Sequence, residues 1–178
     1  IKQADNVFIM GHKQSDFDSF GASIGMYALA KAYDKETRII IDYDSLEEKT
    51  GAVAKSLQNV EKYRGVFILP QRVHDFIHEK SLLICVDNHK PSLAIDSDVL
   101  DLIQNKVVID HHRRGEEFID LPLLTYLEPS ASSTVELIVE LFDYQKETVP
   151  VTEREATIMY TGMLIDTNYF NTRVGTRT

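Results

Sequence analysis

The sequence contains a single cysteine, Cys85. One cysteine excludes an internal disulfide, and it also excludes a zinc site built from CxxC pairs. Cys85 lies in the apolar run 82–86, where we expect a buried thiol on a strand. The scarcity of cysteine suits a reducing, cytoplasmic setting.

Long apolar runs are missing as well. No stretch approaches the roughly 20 apolar residues that a membrane-spanning helix needs, and the amino end lacks the basic and apolar segments of a signal peptide. We therefore expect this chain not to contact a membrane. It begins at Ile1 without an initiator Met and stops at Thr178 within a polar segment, so we expect a fragment of a longer protein.

Basic residues are in deficit. The chain has 19 Lys and Arg against 28 Asp and Glu, a formal net charge of −9 at pH 7. A protein that follows long nucleic acid usually presents a basic face to the phosphates. The acidic excess therefore argues against long nucleic acid and favours a small substrate. Bound divalent cations would offset part of the excess.

The hydrophobic pattern predicts the fold class. Short β-branched runs alternate with amphipathic helical stretches, which is typical of parallel strands joined by helices. We predict one α/β domain with a mostly parallel sheet flanked by helices. Gly21 and Gly25 should let the first helix pack close to the sheet. The predicted strands are 6–10, 38–41, 66–69, 82–86, 106–109 and 123–127, and the predicted helices are 19–33, 47–59, a short one from Pro70, 132–142 and 152–165.

Three predicted strands run directly into polar residues. The first is followed by His12, the fourth by Asp87, and the fifth by the triplet 110–112, which reads Asp-His-His. Ligands of open α/β sheets bind in the crevice at the carboxyl ends of the strands. We therefore predict a metal site at this edge of the sheet.

The donor types and their number indicate two cations. The spacing of His12, Asp16 and Asp18 in one loop can turn all three toward a common point, and Asp166 follows an apolar helix. Carboxylate and imidazole donors suit Mn²⁺ or Mg²⁺, with Mn²⁺ favoured by histidine. Asp87 has two oxygens and can bridge two ions. The four aspartates would repel one another without cations, and a metal pair about 3.5–4 Å apart serves in-line displacement at phosphorus.

Several neighbours are candidates for supporting roles. His112 could contact the scissile phosphate or assist the leaving group, and its alternative is a structural role. Asp110 is expected to orient a neighbouring histidine. Arg113 and Arg114 could bind substrate phosphate, or they could be a solvated basic pair. His89 is a candidate for substrate binding, with a purely structural role left open.

Two further patterns favour structural explanations. His74 and His78 lie four apart in a predicted helix, but no third zinc ligand is evident, so we expect a solvated helix face. The segment 132–134 precedes an apolar helix, and Glu136 lies three residues after Ser133, which is the capping-box pattern. That helix start could also receive a phosphate.

The motifs taken together resemble the DHH phosphoesterase superfamily. The resemblance rests on HxxxDxD at 12–18, Asp87, the DHH triplet at 110–112 and Asp166, and it covers essentially the whole chain. Within the superfamily, the segments DNHKPS at 87–92, DHHRRG at 110–115 and EPSASST at 128–134 are similar to the GdpP-type cyclic di-AMP phosphodiesterases.

The resemblance implies an activity and a ligand set. It implies hydrolysis of a cyclic dinucleotide, cyclic di-AMP, to linear pApA with two Mn²⁺ per site, and it allows a homodimer. His12 and Asp16 would hold one Mn²⁺, and Asp87 would bridge both ions. The ligands of the second Mn²⁺ would be Asp18, His111 and Asp166.

The resemblance also implies neighbouring domains. Residues 1–178 would be the catalytic DHH domain, which in the family is normally followed by a DHH-associated substrate domain, absent from this chain. Arg173 and Arg177 would lead toward it. The longer protein would be anchored in a bacterial cell membrane by upstream helices, with this domain on the cytoplasmic side.

Other functions share the motifs. The rival enzymes are oligoribonucleases that also cleave adenosine bisphosphate, single-strand exonucleases and manganese pyrophosphatases. The acidic charge disfavours the exonuclease, and the segment 89–91 disfavours the other two by resemblance. A nucleotide-binding sensor is the non-enzymatic alternative, and the intact ligand set argues against it because a sensor needs no activated water.

Overall fold

The computed structural model describes residues 1–146, 148–175 and 178. Its centre is a six-stranded sheet in the order β3-β2-β1-β4-β5-β6, and every pairing is parallel. The predicted α/β class is confirmed. The strands are β1 (Asn6–Met10), β2 (Glu36–Ile40), β3 (Phe67–Ile68), β4 (Leu82–Val86), β5 (Asn105–Asp110) and β6 (Leu124–Leu127), and the helices are α1 (Phe17–Lys31), α2 (Glu48–Gln58), α3 (Ser97–Leu102), α4 (Thr134–Asp143) and α5 (Glu153–Asp166).

Both faces of the sheet are covered, which explains why its central strands are apolar runs without alternation. Val7 and Ile9 of β1 belong to a core that includes residues of α1, α2, α4 and α5. Phe8 and Met10 point into the opposite core, which is built with α3 and the segment around Val73. Cys85 lies in this second core as predicted, and burial raises the pKa of its thiol to about 12.

Helix α1 begins two residues earlier than predicted because a side chain caps it. The Asp16 carboxylate accepts hydrogen bonds from the N–H groups of Asp18 and Ser19, each at 3.0 Å. A carboxylate at this position satisfies N–H groups that have no partner within the helix. The cap also fixes the Asp16 side chain at the carboxyl edge of the sheet.

Two short elements differ from the prediction. Helix α3 has only six residues, too few to show a helical period, although Asp96 caps it by accepting from the Asp98 N–H at 2.8 Å. The helix that opens at Pro70 is a 3₁₀ helix that ends at Asp75. His78 therefore lies beyond it, and the predicted helix face shared by His74 and His78 was wrong. Both histidines are exposed, as expected.

The glycines of α1 face other helices and not the sheet, so that prediction was also wrong. A Cβ on Gly21 would lie 3.0 Å from Cγ2 of Val135, and one on Gly25 would lie 2.8 Å from Cγ2 of Ile138. Glycine at these positions lets α4 approach α1 closely.

Gly162 of α5 allows an even closer approach near the predicted metal site. A Cβ there would lie 2.6 Å from the Phe17 carbonyl oxygen and 3.0 Å from the Asp18 Cα. Only glycine lets the backbone of α5 come so near to the first turn of α1. This contact brings the end of α5, with Asp166, toward Asp18.

A buried carboxylate joins α5 to the 3₁₀ helix Glu61–Tyr63. Glu155 is fully buried and forms a capping box with Thr152. Its Oε1 accepts a hydrogen bond from the Tyr63 hydroxyl at 2.9 Å and lies 2.7 Å from Lys62 Nζ. Burial raises the pKa of Glu155, but the hydrogen bonds from Lys62, Thr152 and Tyr63 outweigh it and lower the pKa.

We therefore predict that Glu155→Gln lowers the free energy of unfolding by about 1–3 kcal/mol at neutral pH, because charge-assisted hydrogen bonds to a buried group are lost. A lowered folded-state pKa gives stability that is present above the unfolded value of 4.5 and disappears as pH falls through the folded value. The difference between variant and wild type should therefore shrink below about pH 4.5. Urea titrations at several pH values measure this difference in the free energy of unfolding. Glu153→Gln, exposed in the same turn, is the control, and an equal loss in both variants would contradict the prediction.

Candidate metal centre

The predicted site residues lie where the strand order of the sheet reverses. Strand β1 pairs with β2 on one side and with β4 on the other, so the connections leave β1 and β4 in opposite directions. A crevice forms at the carboxyl ends of such strands. His12 follows β1, Asp87 follows β4, and His111 and His112 follow β5.

His12, Asp16 and Asp87 form a first group of donors. His12 Nε2 lies 3.3 Å from Asp87 Oδ2 and 4.0 Å from Asp16 Oδ1. The other ring nitrogen, Nδ1, lies 2.5 Å from the Lys13 carbonyl oxygen. A carbonyl oxygen only accepts, so the proton is at Nδ1 in the neutral ring and the Nε2 lone pair faces the carboxylates.

A second group surrounds His111. Its Nε2 lies 3.4 Å from Asp166 Oδ2, 3.6 Å from Asp87 Oδ1 and 3.8 Å from Asp18 Oδ2. Its Nδ1 lies 3.3 Å from the Ala131 carbonyl oxygen. The backbone carbonyl again selects the tautomer that leaves Nε2 free for a cation, as is usual for histidine ligands of metals.

Asp87 belongs to both groups. Its Oδ2 faces His12, whereas its Oδ1 faces His111. The backbone of Asp87 is in the left-handed region, with φ of 57°, and its N–H donates to the Ile109 carbonyl oxygen at 2.9 Å. Such conformations are uncommon for non-glycine residues and persist where the surroundings enforce them. Here the enforced turn places one carboxylate between the two groups.

The carboxylates are close enough to perturb one another. Burial, together with repulsion from Asp87 and Asp166, raises the pKa of Asp18 well above its ordinary value. Burial also raises the pKa of Asp166, with attraction to His111 opposing the shift and repulsion from Asp87 and Asp16 adding to it. The protein alone thus supplies too little positive charge for this cluster.

The same excess of negative charge raises the pKa of His12. Burial would lower its pKa, but the hydrogen bond and attraction to Asp87, with Asp16 adding to them, raise it to about 9. Nitrogen and carboxylate oxygen donors fit Mn²⁺, and divalent cations would relieve the repulsion. The six predicted ligands therefore fit a metal pair, and their assignment as ligands stays a prediction. Among the described residues, donors lie within 4.8 Å of one another in three sets, namely His12, Asp16 and Asp87, then Asp18, His111 and Asp166, and finally Asp87, His111 and His112.

Asp110 lies fully buried between two histidines. Its Oδ1 accepts from the backbone N–H of His112 at 3.0 Å and from His112 Nδ1 at 2.8 Å, and its Oδ2 accepts from His89 Nδ1 at 2.5 Å. Burial opposes ionisation of Asp110, but these hydrogen bonds lower its pKa to about 2. The hydrogen bond to Asp110 also raises the pKa of His112. Because Nδ1 of His112 is held, Nε2 is the nitrogen left for a ligand, and the side chain is 56% exposed.

His89 lines the cavity beside His12 and Asp87 but is almost fully enclosed by protein, and its role in substrate binding stays a prediction. It is only 1% exposed, its Nε2 lies 3.4 Å from the Gly115 N–H, and its ring stacks on Phe118 at 5.3 Å. Both ring nitrogens are thus occupied within the protein. His89 holds Asp110, which in turn holds His112.

The arginines that the sequence singled out are exposed where the structure describes them. Arg113 and Arg114 are both exposed, and the Arg114 guanidinium lies over the Phe118 ring at 4.6 Å from its centroid. Arg173 is exposed and attracts the Asp166 carboxylate. Arg177 lies outside the described residues.

Sequence reasoning missed Thr134. Helix α4 starts two residues later than the predicted 132, with Ser133 at its N-cap accepting from the Glu136 N–H at 3.1 Å. The Glu136 carboxylate, however, accepts from the N–H of Ser132 and not of Ser133, so the capping box is incomplete. The N–H groups of Thr134 and Val135 donate to Asp18, and the Thr134 hydroxyl donates to Asp87. These N–H groups are therefore already bonded within the protein and are not free to bind a phosphate.

Comparison with known proteins agrees with this geometry. Residues 6–163 match the N-terminal domain of the DHH family. The chain belongs to this family, as its motifs predicted.

Among similar curated proteins are the cyclic di-AMP phosphodiesterases PdeA of Listeria monocytogenes and GdpP of Bacillus subtilis. Each is 42% identical over the whole of this chain, which spans 27% of the relative. An exopolyphosphatase-related protein from Bacteroides fragilis, of known crystal structure, is 26% identical with a TM-score of 0.74 over 97% of this chain and 49% of that one. Within the described ranges, no helix is long and apolar enough to cross a membrane.

We predict that Mn²⁺ stabilises the chain, since cations relieve the repulsion between the carboxylates. A concentration one hundredfold above the dissociation constant contributes about 2.7 kcal/mol, or on the order of 5–10 °C in melting temperature. Asp87→Asn should lose most of this gain, and its melting temperature in chelator serves as the baseline, because the change removes both a repelling charge and the attraction to His12. Melting curves by calorimetry measure both effects.

Asp44→Asn, an exposed change after β2, is the control and should respond to Mn²⁺ like wild type. An unchanged wild-type melting temperature at millimolar Mn²⁺ would contradict the metal assignment.

Proposed function

We propose that this chain is the catalytic domain of a cyclic di-AMP phosphodiesterase, which hydrolyses cyclic di-AMP to linear pApA with two Mn²⁺. The observation that carries the proposal is the position of Asp87, whose two carboxylate oxygens face two different donor groups. Two metals that share a carboxylate are suited to in-line displacement at phosphorus. The names of PdeA and GdpP support cyclic di-AMP as the substrate.

The proposed ligands divide between two metal positions. His12 and Asp16 would hold the first Mn²⁺, His111, Asp18 and Asp166 the second, and Asp87 both. When bound, the pair supplies Lewis-acid polarisation of the phosphoryl oxygens and activation of water.

His112 is suited to move a proton in this reaction. Water adds to one phosphorus, the bond from that phosphorus to O3′ breaks, and the departing O3′ needs a proton. Asp110 holds His112 through Nδ1 and raises its pKa, which favours the protonated ring, whose Nε2 could then donate to the departing oxygen. General acid catalysis requires a group held in this way within reach of the leaving oxygen.

The size of the cavity at the site limits what this domain can hold. A cavity of about 150 Å³ is lined by His12, Asp87, Lys90, Leu93 and His112, among others. Pockets that enclose drug-sized ligands have about 300–1,000 Å³, so this cavity suits a phosphate group and not two nucleosides. Lys90 adds a positive charge there.

The rest of the substrate would be held outside this cavity. A separate substrate domain in a longer protein agrees with the 27% of each relative that the chain spans. A membrane anchor, a cytoplasmic location and a homodimer belong to the same proposal, and they rest on the family resemblance.

The substrate is tested by incubating the full catalytic module, this chain together with the substrate domain of the longer protein, with Mn²⁺ and separating the products by chromatography. Cyclic di-AMP, adenosine bisphosphate, short oligoribonucleotides and pyrophosphate form the panel. We expect cyclic di-AMP to be cleaved fastest, with pApA as the first product. Faster cleavage of another member would support the corresponding rival enzyme, and binding of cyclic di-AMP without turnover would support a sensor.

The two adjacent histidines should give different defects. His111→Ala should weaken binding of the second Mn²⁺, so that activity partly recovers at high Mn²⁺. His112→Ala should keep both metals and slow hydrolysis by about 10²–10⁴-fold, without rescue by Mn²⁺. Metal analysis together with rates measures both variants, and His74→Ala, an exposed histidine elsewhere, is the control. Loss of a metal in His112→Ala alone would reverse the two roles.

A further inference from the structure

Thr134 contacts two of the proposed metal ligands through two different groups. It is fully buried at the first position of α4. Its backbone N–H donates to Asp18 Oδ2 at 2.7 Å, and its hydroxyl donates to Asp87 Oδ1 at 2.9 Å. Neither aspartate is near it in sequence, so α4 connects two separate parts of the site.

The contact with Asp18 uses the start of the helix. The first N–H groups of a helix have no partner within it, and the helix dipole favours negative charge there. Asp18 accepts from two of these groups, because the Val135 N–H also donates to its Oδ1 at 3.0 Å. The carboxylate is 2% exposed and repelled by Asp87 and Asp166, so these bonds compensate its charge in the absence of a cation.

The contact with Asp87 decides how that carboxylate is turned. A carboxylate only accepts, so the Thr134 hydroxyl must donate its proton to Oδ1. Oδ1 is the oxygen that faces His111, and Oδ2 is the one that faces His12. The hydrogen bond to Oδ1 therefore keeps Oδ1 toward the group around His111 and Oδ2 toward the group around His12.

We propose that Thr134 is a positioning residue for the metal pair, whose N–H aligns Asp18 and whose hydroxyl aligns Asp87 before the cations bind. The inference rests on the proposed function only in treating these aspartates as metal ligands. Without the hydroxyl, Asp87 keeps its contact with His12 at Oδ2 but loses the hydrogen bond that holds Oδ1, so its orientation is less restricted before a cation binds. Loss of such a supporting hydrogen bond typically lowers metal affinity 10–100-fold.

The test compares Thr134→Val with Thr134→Ser in this chain. Valine keeps the shape and the backbone N–H but removes the hydroxyl, whereas serine keeps both polar groups. We expect Thr134→Val to bind Mn²⁺ about 10–100-fold more weakly by isothermal titration calorimetry. The electron paramagnetic resonance signal of a coupled manganese pair should then require more Mn²⁺. Thr134→Ser should bind like wild type.

Stability in chelator separates positioning from folding. Thr134→Val should melt within a few degrees of wild type there, and Thr134→Ala replaces it if it does not. The matched control is Thr50→Val on α2, which removes a buried hydroxyl that has no hydrogen-bond partner among the described residues. Its Mn²⁺ affinity should equal that of wild type.

Each outcome has a distinct meaning. Wild-type affinity and pair formation in Thr134→Val would overturn the inference and leave the proposed function intact. An equal loss in Thr134→Ser and Thr134→Val would overturn it too, because serine keeps the hydroxyl and the loss would then come from altered packing of the side chain. Failure of the wild-type chain to bind a pair of Mn²⁺ would instead remove the proposed function.

Discussion

Repulsion between carboxylates is the constraint on which the rest of the site depends. Asp16, Asp18, Asp87 and Asp166 converge at one edge of the sheet, and two of them are almost fully buried. Unpaired charges at short distance in a protein interior cost several kcal/mol each. A chain could avoid this cost by placing apolar residues there. This chain keeps the charges and surrounds them with donors, which is reasonable only if cations complete the site.

The fold supplies those donors through helix starts. The N–H groups at the start of α1 bind Asp16, and those at the start of α4 bind Asp18. Both helices point their positive ends at the carboxylates. The absence of a side chain at Gly162 lets α5 approach Asp18 as well. The parallel sheet determines this arrangement, because each helix that follows a strand starts at the carboxyl edge.

Local patterns were enough to predict much of this structure from the sequence. Apolar runs identified the strands, and the polar residues directly after them indicated the candidate site. What could not be predicted depends on contacts between distant segments. The Thr134 hydrogen bonds span 116 and 47 residues, and the burial of His89 depends on Asp110 and Phe118. The short helix α3 was not predicted because six residues do not establish a helical period.

The four carboxylates differ in how much the protein itself compensates them. Asp16 and Asp18 accept backbone N–H groups at helix starts, and Asp87 accepts the Thr134 hydroxyl. Asp166 is the last residue of α5, where the helix dipole disfavours a negative charge. Its compensation comes from His111 and from the exposed Arg173, and its pKa is raised nonetheless. A cation held by the second group, as proposed, would therefore contribute most at Asp166. Binding there would join the carboxyl end of α5 to the start of α1, so that occupation of the site and packing of these two helices would stabilise each other.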